Sequence, residues 1–489
     1  MPELFIDGAW VSGSGGQRSD VVNPCDQSVV RTVEWAGADE VAAAVAAAKG
    51  AFDRGDWAAT PAGERGALLY RVAELLVRDS EQIANTETLD TGKTLTESRA
   101  DVDDVTAVFR YYAGLADKDA GRVVHTGMQN VLSRVVYEPV GVCVLITPWN
   151  YPLLQLSWKV APALAAGNTV VIKPSEVTPL TSIKLVQLLE EAGAPRGVVN
   201  LLLGDGARVG APLVEHPDVD MVSFTGGLAT GQSIIRASAE TVKKLAVELG
   251  GKNPNIVFAD ADFETSVDYA LTAAFLHAGQ VCSAGARLIV ADSIHDEFVA
   301  EVGRRAERIR LGNGLDPATE SGPLVSAAQL AKVETFVASA LEQGARLVAG
   351  GRRPDEPDLA KGFFYRPTVF ADCRRDMRVI REETFGPILT VERFADEPGA
   401  IELGNDTDYG LAGAVWTSDM GRAARVAGAL RHGTVWINDF HPYVPGAEWG
   451  GFKRSGNGRE LGPTGLAEYR EAKHIWHNTA PEPLRWFKG

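Results

Sequence analysis

Three residues in this chain stand where a side chain can do covalent chemistry. Cys282, in Gly279-Gln280-Val281-Cys282-Ser283, lies between an apolar helical stretch and the strand-like run Arg287 to Val290. With Cys25, Cys143 and Cys373 it is one of four cysteines with no paired spacing, so reduced thiols are expected, and one of them is free to be a nucleophile. A lone cysteine is as readily a small buried apolar residue. Glu248 follows the strand-like VKKLAV and precedes two glycines, which places a carboxylate at a strand end where it can point into a cleft. A surface ion pair is the plainer alternative. Asn150 sits in Ile146-Thr147-Pro148-Trp149-Asn150-Tyr151-Pro152, a loop stiffened by two prolines at another strand end. Asparagine there is also a common turn former.

Two glycine-rich stretches could cradle phosphates. Gly204-Asp205-Gly206-Ala207-Arg208-Val209-Gly210 follows a strand-like run but reads G-x-G-x-x-x-G, one residue longer than the dinucleotide fingerprint. Phe224-Thr225-Gly226-Gly227-Leu228-Ala229-Thr230-Gly231 also lies between a strand and a helix, whose first amides would face a pyrophosphate.

The elements that must position these residues follow from periodicity. Apolar spacing predicts helices over 39–52, 61–84 and 94–115. From Gly141, short Val/Ile/Leu runs alternate with helical stretches: VGVCVLIT, NTVVIK, GVVNLLL and DVDMVSF are separated by 153–165, 180–191 and 207–215. That texture predicts buried parallel strands in a doubly wound sheet, with ligands beyond the strand carboxyl ends. The alternation restarts after about residue 250 with NIVFAD, a helix over 262–278, RLIVAD and a helix over 294–309, and extends to about residue 450. The net charge of −16 and the lack of any Lys/Arg-rich window argue against nucleic acid and anionic membrane partners. No signal peptide or spanning segment is legible, so a cytoplasmic location is expected.

ITPWNYP, KPSE, FTGG, ELGGKNP, GQVCSAG, EETFGP and GGFKRSGNGRE occur in this order, and together they resemble the aldehyde dehydrogenase superfamily along essentially the whole chain. The resemblance implies two doubly wound α/β domains, one for cofactor (1–118 and 139–249) and one for catalysis (250–450). It adds a small β oligomerisation arm and C-terminal tail (119–138 and 451–489). It implies Cys282 as nucleophile, Glu248 as general base, Asn150 as oxyanion donor and Lys159 as a charge relay. A thiolate suits this role because it attacks well and later leaves.

The cofactor implied is NAD, with NADP as the alternative. The matching residues are Ile146, Thr147, Pro148, Trp149, Lys173, Ser175, Glu176, Gly206, Phe224, Thr225, Gly226, Gly227, Gly231, Leu249, Glu383 and Phe385. A carboxylate at Glu176 accepts from a ribose 2′-OH and repels a 2′-phosphate, which favours NAD.

DVTAVFRYYAGLA, NDTDYGLAGAV and Trp436-Ile437-Asn438-Asp439-Phe440-His441-Pro442-Tyr443 are similar to the betaine aldehyde subgroup. By that likeness Tyr151, Trp158, His441, Tyr443 and Trp449 line a substrate tunnel, and aromatic faces suit a cationic aldehyde that cannot donate hydrogen bonds. The same likeness implies potassium at Asp90 with carbonyls of Val22 and Val177, and at a second spot around Lys453 and Gly456. It also implies a homo-oligomer, dimer or tetramer. The expected reaction is oxidation of betaine aldehyde to glycine betaine through a thiohemiacetal and thioester. A broad-specificity aminoaldehyde or aliphatic aldehyde dehydrogenase is the alternative, and a non-catalytic structural protein on the same scaffold is a remoter one.

Overall fold

The structure, a computed structural model, describes residues 3–118 and 120–487; the expected domain limits at 1, 119 and 489 fall outside that set. Five apolar runs, Val142–Ile146, Thr169–Lys173, Val199–Leu201, Met221–Gly226 and Lys244–Leu249, form the parallel centre of one sheet and are buried over most of their length. Across the sheet the order is 244–249, 221–226, 142–146, 169–173, 199–201. The chain therefore winds first to one side of Val142–Ile146 and then to the other. A crevice opens where the winding reverses, beyond the ends of Val142–Ile146 and Met221–Gly226.

The helix Pro152–Ala166, which follows the first of these strands, has proline in its first turn and ends on Gly167 in the left-handed region (φ 96°). Both are favoured helix punctuation. All of its side chains are buried, as a helix apolar on every side requires.

A second sheet has the order 346–349, 368–371, 388–394, 287–291, 254–257, 412–416, 434–437. All its neighbouring pairs are parallel except 346–349 with 368–371. It too winds to both sides of its first strand, Pro254–Val257. The chain passes between the sheets over Gly250 to Asn253, directly after Glu248.

Arg122–Val124, Val131–Pro139 and Arg470–Asn478 make a separate antiparallel sheet. The stretch before Arg470 does not join it: Gly456–Asn457 pairs with the strand Lys244–Leu249, so this late segment closes the first sheet beside Glu248. No helix among the described residues is long and apolar enough to cross a membrane.

Two helix expectations change. The block over 61–84 is two helices, Ala62–Arg78 and Ser80–Thr91, because Asp79 (φ −101°, ψ 12°) turns the chain between them. The helix expected to reach 278 stops at Phe275, and the chain then runs through a tight left-handed turn.

Candidate active site

That turn leads into Cys282. His277, Ala278 and Gly279 all have positive φ (47°, 52° and 72°). Two of them carry a Cβ, and each such residue costs roughly 1–2 kcal/mol in this region, so outside bonds must hold the turn. The Gln280 side chain ties back to the His277 carbonyl (3.1 Å) and accepts the Val325 N–H (2.9 Å). The Gln280 carbonyl accepts from the Asn150 amide at 2.8 Å, which fixes which way that amide points. Asn253, in ELGGKNP, donates to the carbonyls of Cys282 and Ala284, both at 2.9 Å. Cys282 is thus pinned through its backbone while its side chain keeps an opening.

Glu248 and Cys282 line one pocket with Asn150. Both Glu248 oxygens are buried and accept no N–H or O–H, and the Cys282 thiol is the polar group that faces them. Burial first, and then the nearby Glu460 carboxylate, push Glu248 up to about 8. Burial and the Glu248 charge raise the Cys282 thiol in turn. Lys159, fully buried, lies between the Thr225 hydroxyl (2.8 Å) and the Glu460 carboxylate. Lys159 lowers and Glu460 raises the Glu248 pKa, so the three form one electrostatic unit. Sequence reasoning missed Glu460, although it is the final residue of the GGFKRSGNGRE motif.

Two neighbouring pockets form a cleft along the strand ends. Ile146, Lys173, Gly206 and Phe224 line the outer one, so the imperfect glycine loop at Gly206 reaches the cleft as well as the FTGG stretch. Lys173 pairs with Glu176 at 3.3 Å at its rim. Pro148, Trp149, Thr225, Gly226, Gly227, Glu383 and Phe385 line the inner pocket with Cys282 and Glu248. The helix Leu228–Ser238 begins at Gly227 with no side-chain cap, which leaves its first N–H groups free for an anion. Trp149 and Phe385 meet edge to face (5.2 Å). Burial raises Glu383 to about 7, and its Oε1 accepts the Gly251 N–H at 3.2 Å. A Cβ at Gly250 would meet the Glu383 carboxylate at 2.0 Å, so any larger residue there would displace that side chain. These features, an uncapped helix end, glycine clearance and a rim carboxylate, fit a dinucleotide. Gln329 and Lys332, which line the inner pocket, were not singled out from sequence.

Some expected cofactor residues lie beside the cleft instead of in it. Gly231 is buried under Leu249, whose side chain a Cβ there would meet at 2.5 Å; both serve helix-to-strand packing. Thr147 and Ser175 are buried, and the Ser175 hydroxyl accepts the Val177 N–H.

A third pocket reaches Cys282 from the opposite side, lined by Tyr151, Trp158, His441, Tyr443 and Trp449 as expected. Trp158 lies 5.2 Å from Tyr443 and 6.0 Å from Trp449, ring to ring, and Tyr443 lies 6.4 Å from Trp449. His441 is held neutral, its pKa pushed down to about 4 by burial. Unforeseen were Glu97, Asp101 and Asp104, which add carboxylates to this wall. Asp104 accepts the Tyr443 hydroxyl at 2.6 Å. Asp101 pairs with the buried Lys93, whose ammonium lies 3.8 Å from the centre of the Tyr151 ring.

The residues of the two expected cation spots lie as follows. Asp90 is buried; one oxygen accepts the Leu180 N–H (2.9 Å) and the other has no partner, and burial raises its pKa well above the usual carboxylate range. At the second spot the Lys453 ammonium itself occupies the carbonyls of Asn405 (3.2 Å) and Thr407 (3.0 Å), and Gly456 pairs with Glu248 as strand. Among the described residues no group of three or more His, Cys, Asp and Glu could hold a metal ion.

A model of the aldehyde dehydrogenase family matches residues 10–475. The chain is 58% identical over 484 residues to betaine aldehyde dehydrogenase of Bacillus subtilis (strain 168), covering 99% of each. It is 43% identical over 492 residues to peroxisomal aminoaldehyde dehydrogenase 2 of Pisum sativum, covering 99% of this chain and 97% of the other. Betaine aldehyde dehydrogenase from Staphylococcus aureus, solved in complex with NAD+, matches with a TM-score of 0.99 at 50% identity, over 100% of this chain and 97% of that one.

Proposed function

The chain belongs to the aldehyde dehydrogenase family, and from that premise we propose that it oxidises betaine aldehyde to glycine betaine with NAD. The observation that carries this reading is a tunnel walled by Trp158, Tyr443 and Trp449, with carboxylates at Asp101 and Asp104, that ends on Cys282. Aromatic faces attract a quaternary ammonium by ~0.5–2 kcal/mol per contact.

In the reaction, Cys282 Sγ loses its proton to solvent and bonds to the aldehyde carbon, and the carbonyl oxygen becomes an oxyanion. The Asn150 amide and the Cys282 backbone N–H stabilise it; losing one such donor typically costs ~10²–10³ in rate. The oxyanion then collapses to a thioester on Cys282, and bound NAD would supply the acceptor for the hydride that leaves. Glu383 and Phe385 would hold the nicotinamide ribose, Trp149, Gly226 and Gly227 the pyrophosphate, and Lys173 and Glu176 the adenosine ribose. Glu248 then takes a proton from the water that attacks the thioester, which frees the carboxylate and the thiol. Lys159 and Glu460 offer that proton a path away from Glu248.

We further propose that the chain is a homo-oligomer assembled through the sheet of 122–139 and 470–478. Its four unpaired cysteines suit a reducing cytoplasm. A monovalent cation such as potassium would be held by Asp90 with carbonyls of Val22 and Val177, as a clamp with no chemical step of its own.

The test compares kcat/KM for betaine aldehyde and for 3,3-dimethylbutanal, its neutral isostere, with NAD. The reading expects the cation to win by about tenfold or more; equal values would sink it. The carboxylate at Asp104 favours one second reading, an ω-aminoaldehyde whose ammonium it would pair with.

A further inference from the structure

Glu97 occupies the third position of the helix Leu95–Leu115, where its Oε2 accepts both the Thr94 N–H and the Thr94 hydroxyl at 2.8 Å. Capping the helix needs only that oxygen. Its Oε1 accepts the His277 N–H at 2.7 Å, across 180 residues of sequence. His277 opens the left-handed turn that leads into Gln280, where the Asn150 amide is anchored, and into Cys282. Since Ala278 (φ 52°) and His277 (φ 47°) are unfavourable in that conformation, the turn depends on bonds from outside it. A helix end closed by a capping box is a rigid place from which to supply one.

We propose that Glu97 is a positioning residue for the nucleophile: by gripping His277 from a capped helix end it keeps the left-handed turn closed, and so sets where Cys282 and the Asn150 amide stand. The inference rests on the reading of Cys282 as the nucleophile. It goes beyond helix capping because the bond to His277 contributes nothing to the cap. Glu97 also lines the tunnel, so the group that holds the nucleophile loop is the one an incoming aldehyde passes.

The test measures the rate of iodoacetamide labelling at Cys282, mapped by peptide mass, and the single-turnover rate of NADH formation. Wild type is compared with Glu97→Gln and Thr94→Ala. Glutamine matches the size of Glu97 but turns an N–H₂ toward donors that one carboxylate oxygen now satisfies. E97Q is expected to lose about tenfold or more in both rates, the scale of one bond to a charged group, with NAD affinity unchanged. T94A should lower Tm and leave both rates within about twofold, since the Thr94 backbone N–H still holds Glu97. Adding Ala278→Gly to E97Q should recover most of the loss, because glycine enters the left-handed region without a Cβ clash.

Wild-type rates in E97Q overturn the proposal, and so does T94A slowing both rates as much as E97Q does. If E97Q does not fold, the E97Q/A278G protein is measured in its place, and failure of both to fold counts against a positioning role. Wild-type labelling that falls on another cysteine sinks the nucleophile reading and this inference together, whereas Cys282 labelling unchanged in E97Q sinks the inference alone.

Discussion

Burial keeps Glu248 protonated at neutral pH, with its pKa raised from 4.5 to about 8, and that has two consequences of opposite sign. As a base it acts only when ionised, so thioester hydrolysis should accelerate as pH rises through about 8. Glu248→Gln should flatten that limb and cut multiple-turnover kcat by ~10²–10⁴ while an acyl-enzyme accumulates, seen as a stoichiometric NADH burst. For stability the sign is reversed. The unfolded chain releases the proton above about 4.5 and the folded chain holds it to about 8, so ionisation favours unfolding increasingly between those values. The Gln variant should therefore melt about 2 °C or more above wild type at pH 8, with no gain at pH 4, by scanning calorimetry. A residue that improves stability when removed is what a functional carboxylate in a dry cleft should look like.

At the scale of elements, the site is assembled from a few ends and faces. The helix Leu95–Leu115 sets Glu97, Asp101 and Asp104 four and three residues apart on one face, and that face is a wall of the substrate tunnel. Pro152–Ala166 contributes Trp158, and the late loop contributes Tyr443 and Trp449. Trp449→Ala should raise KM for betaine aldehyde by about 2- to 30-fold, the range of one cation–π contact. It should change KM for 3,3-dimethylbutanal less, in steady-state assays run side by side. On the cofactor side, Glu176 follows the strand Thr169–Lys173 and faces the cleft rim beside Lys173. Glu176→Gln removes one negative charge from the place of a 2′-phosphate, so the ratio of kcat/KM for NADP to that for NAD should rise about tenfold.

Across the whole molecule, the two sheets meet at the nucleophile: Glu248 ends one, Asn253 opens the other, and the late strand Gly456–Asn457 closes over Glu248. Behind the tunnel wall Lys93 is fully buried between Glu87 (3.2 Å) and Asp101, and Glu87 accepts the Thr181 hydroxyl at 2.7 Å. This cluster ties the helices Ser80–Thr91, Leu95–Leu115 and Leu180–Glu191 together beneath Tyr151. Lys93→Met would leave two buried carboxylates without their cation. A loss of about 3–5 kcal/mol is expected, visible as a lower denaturant midpoint with NAD present or absent.

Much of this was legible in the sequence because it is local or repetitive. Continuous Val/Ile/Leu runs such as VCVLI and TVVIK can only be strands buried on both faces, and they located the sheet whose strand ends carry Asn150, Lys173 and Thr225. Cys282, Glu248 and the aromatic residues Trp158, Tyr443 and Trp449 stood out by type and by the short motifs around them. What the sequence could not determine is which distant groups share a bond. Glu97 and His277, Lys93 and Asp101, Asp104 and Tyr443, and Lys159 and Glu460 each join segments of different elements, and no periodicity records such a pairing. The end of the Phe263–Phe275 helix was misread for the same reason: local propensity continued it, whereas bonds from Glu97 and Gln280 pulled the chain into a left-handed turn. Patterns of burial follow from the order of residues along one chain, but the placing of charge against charge in a dry interior is decided only when the chain has closed on itself.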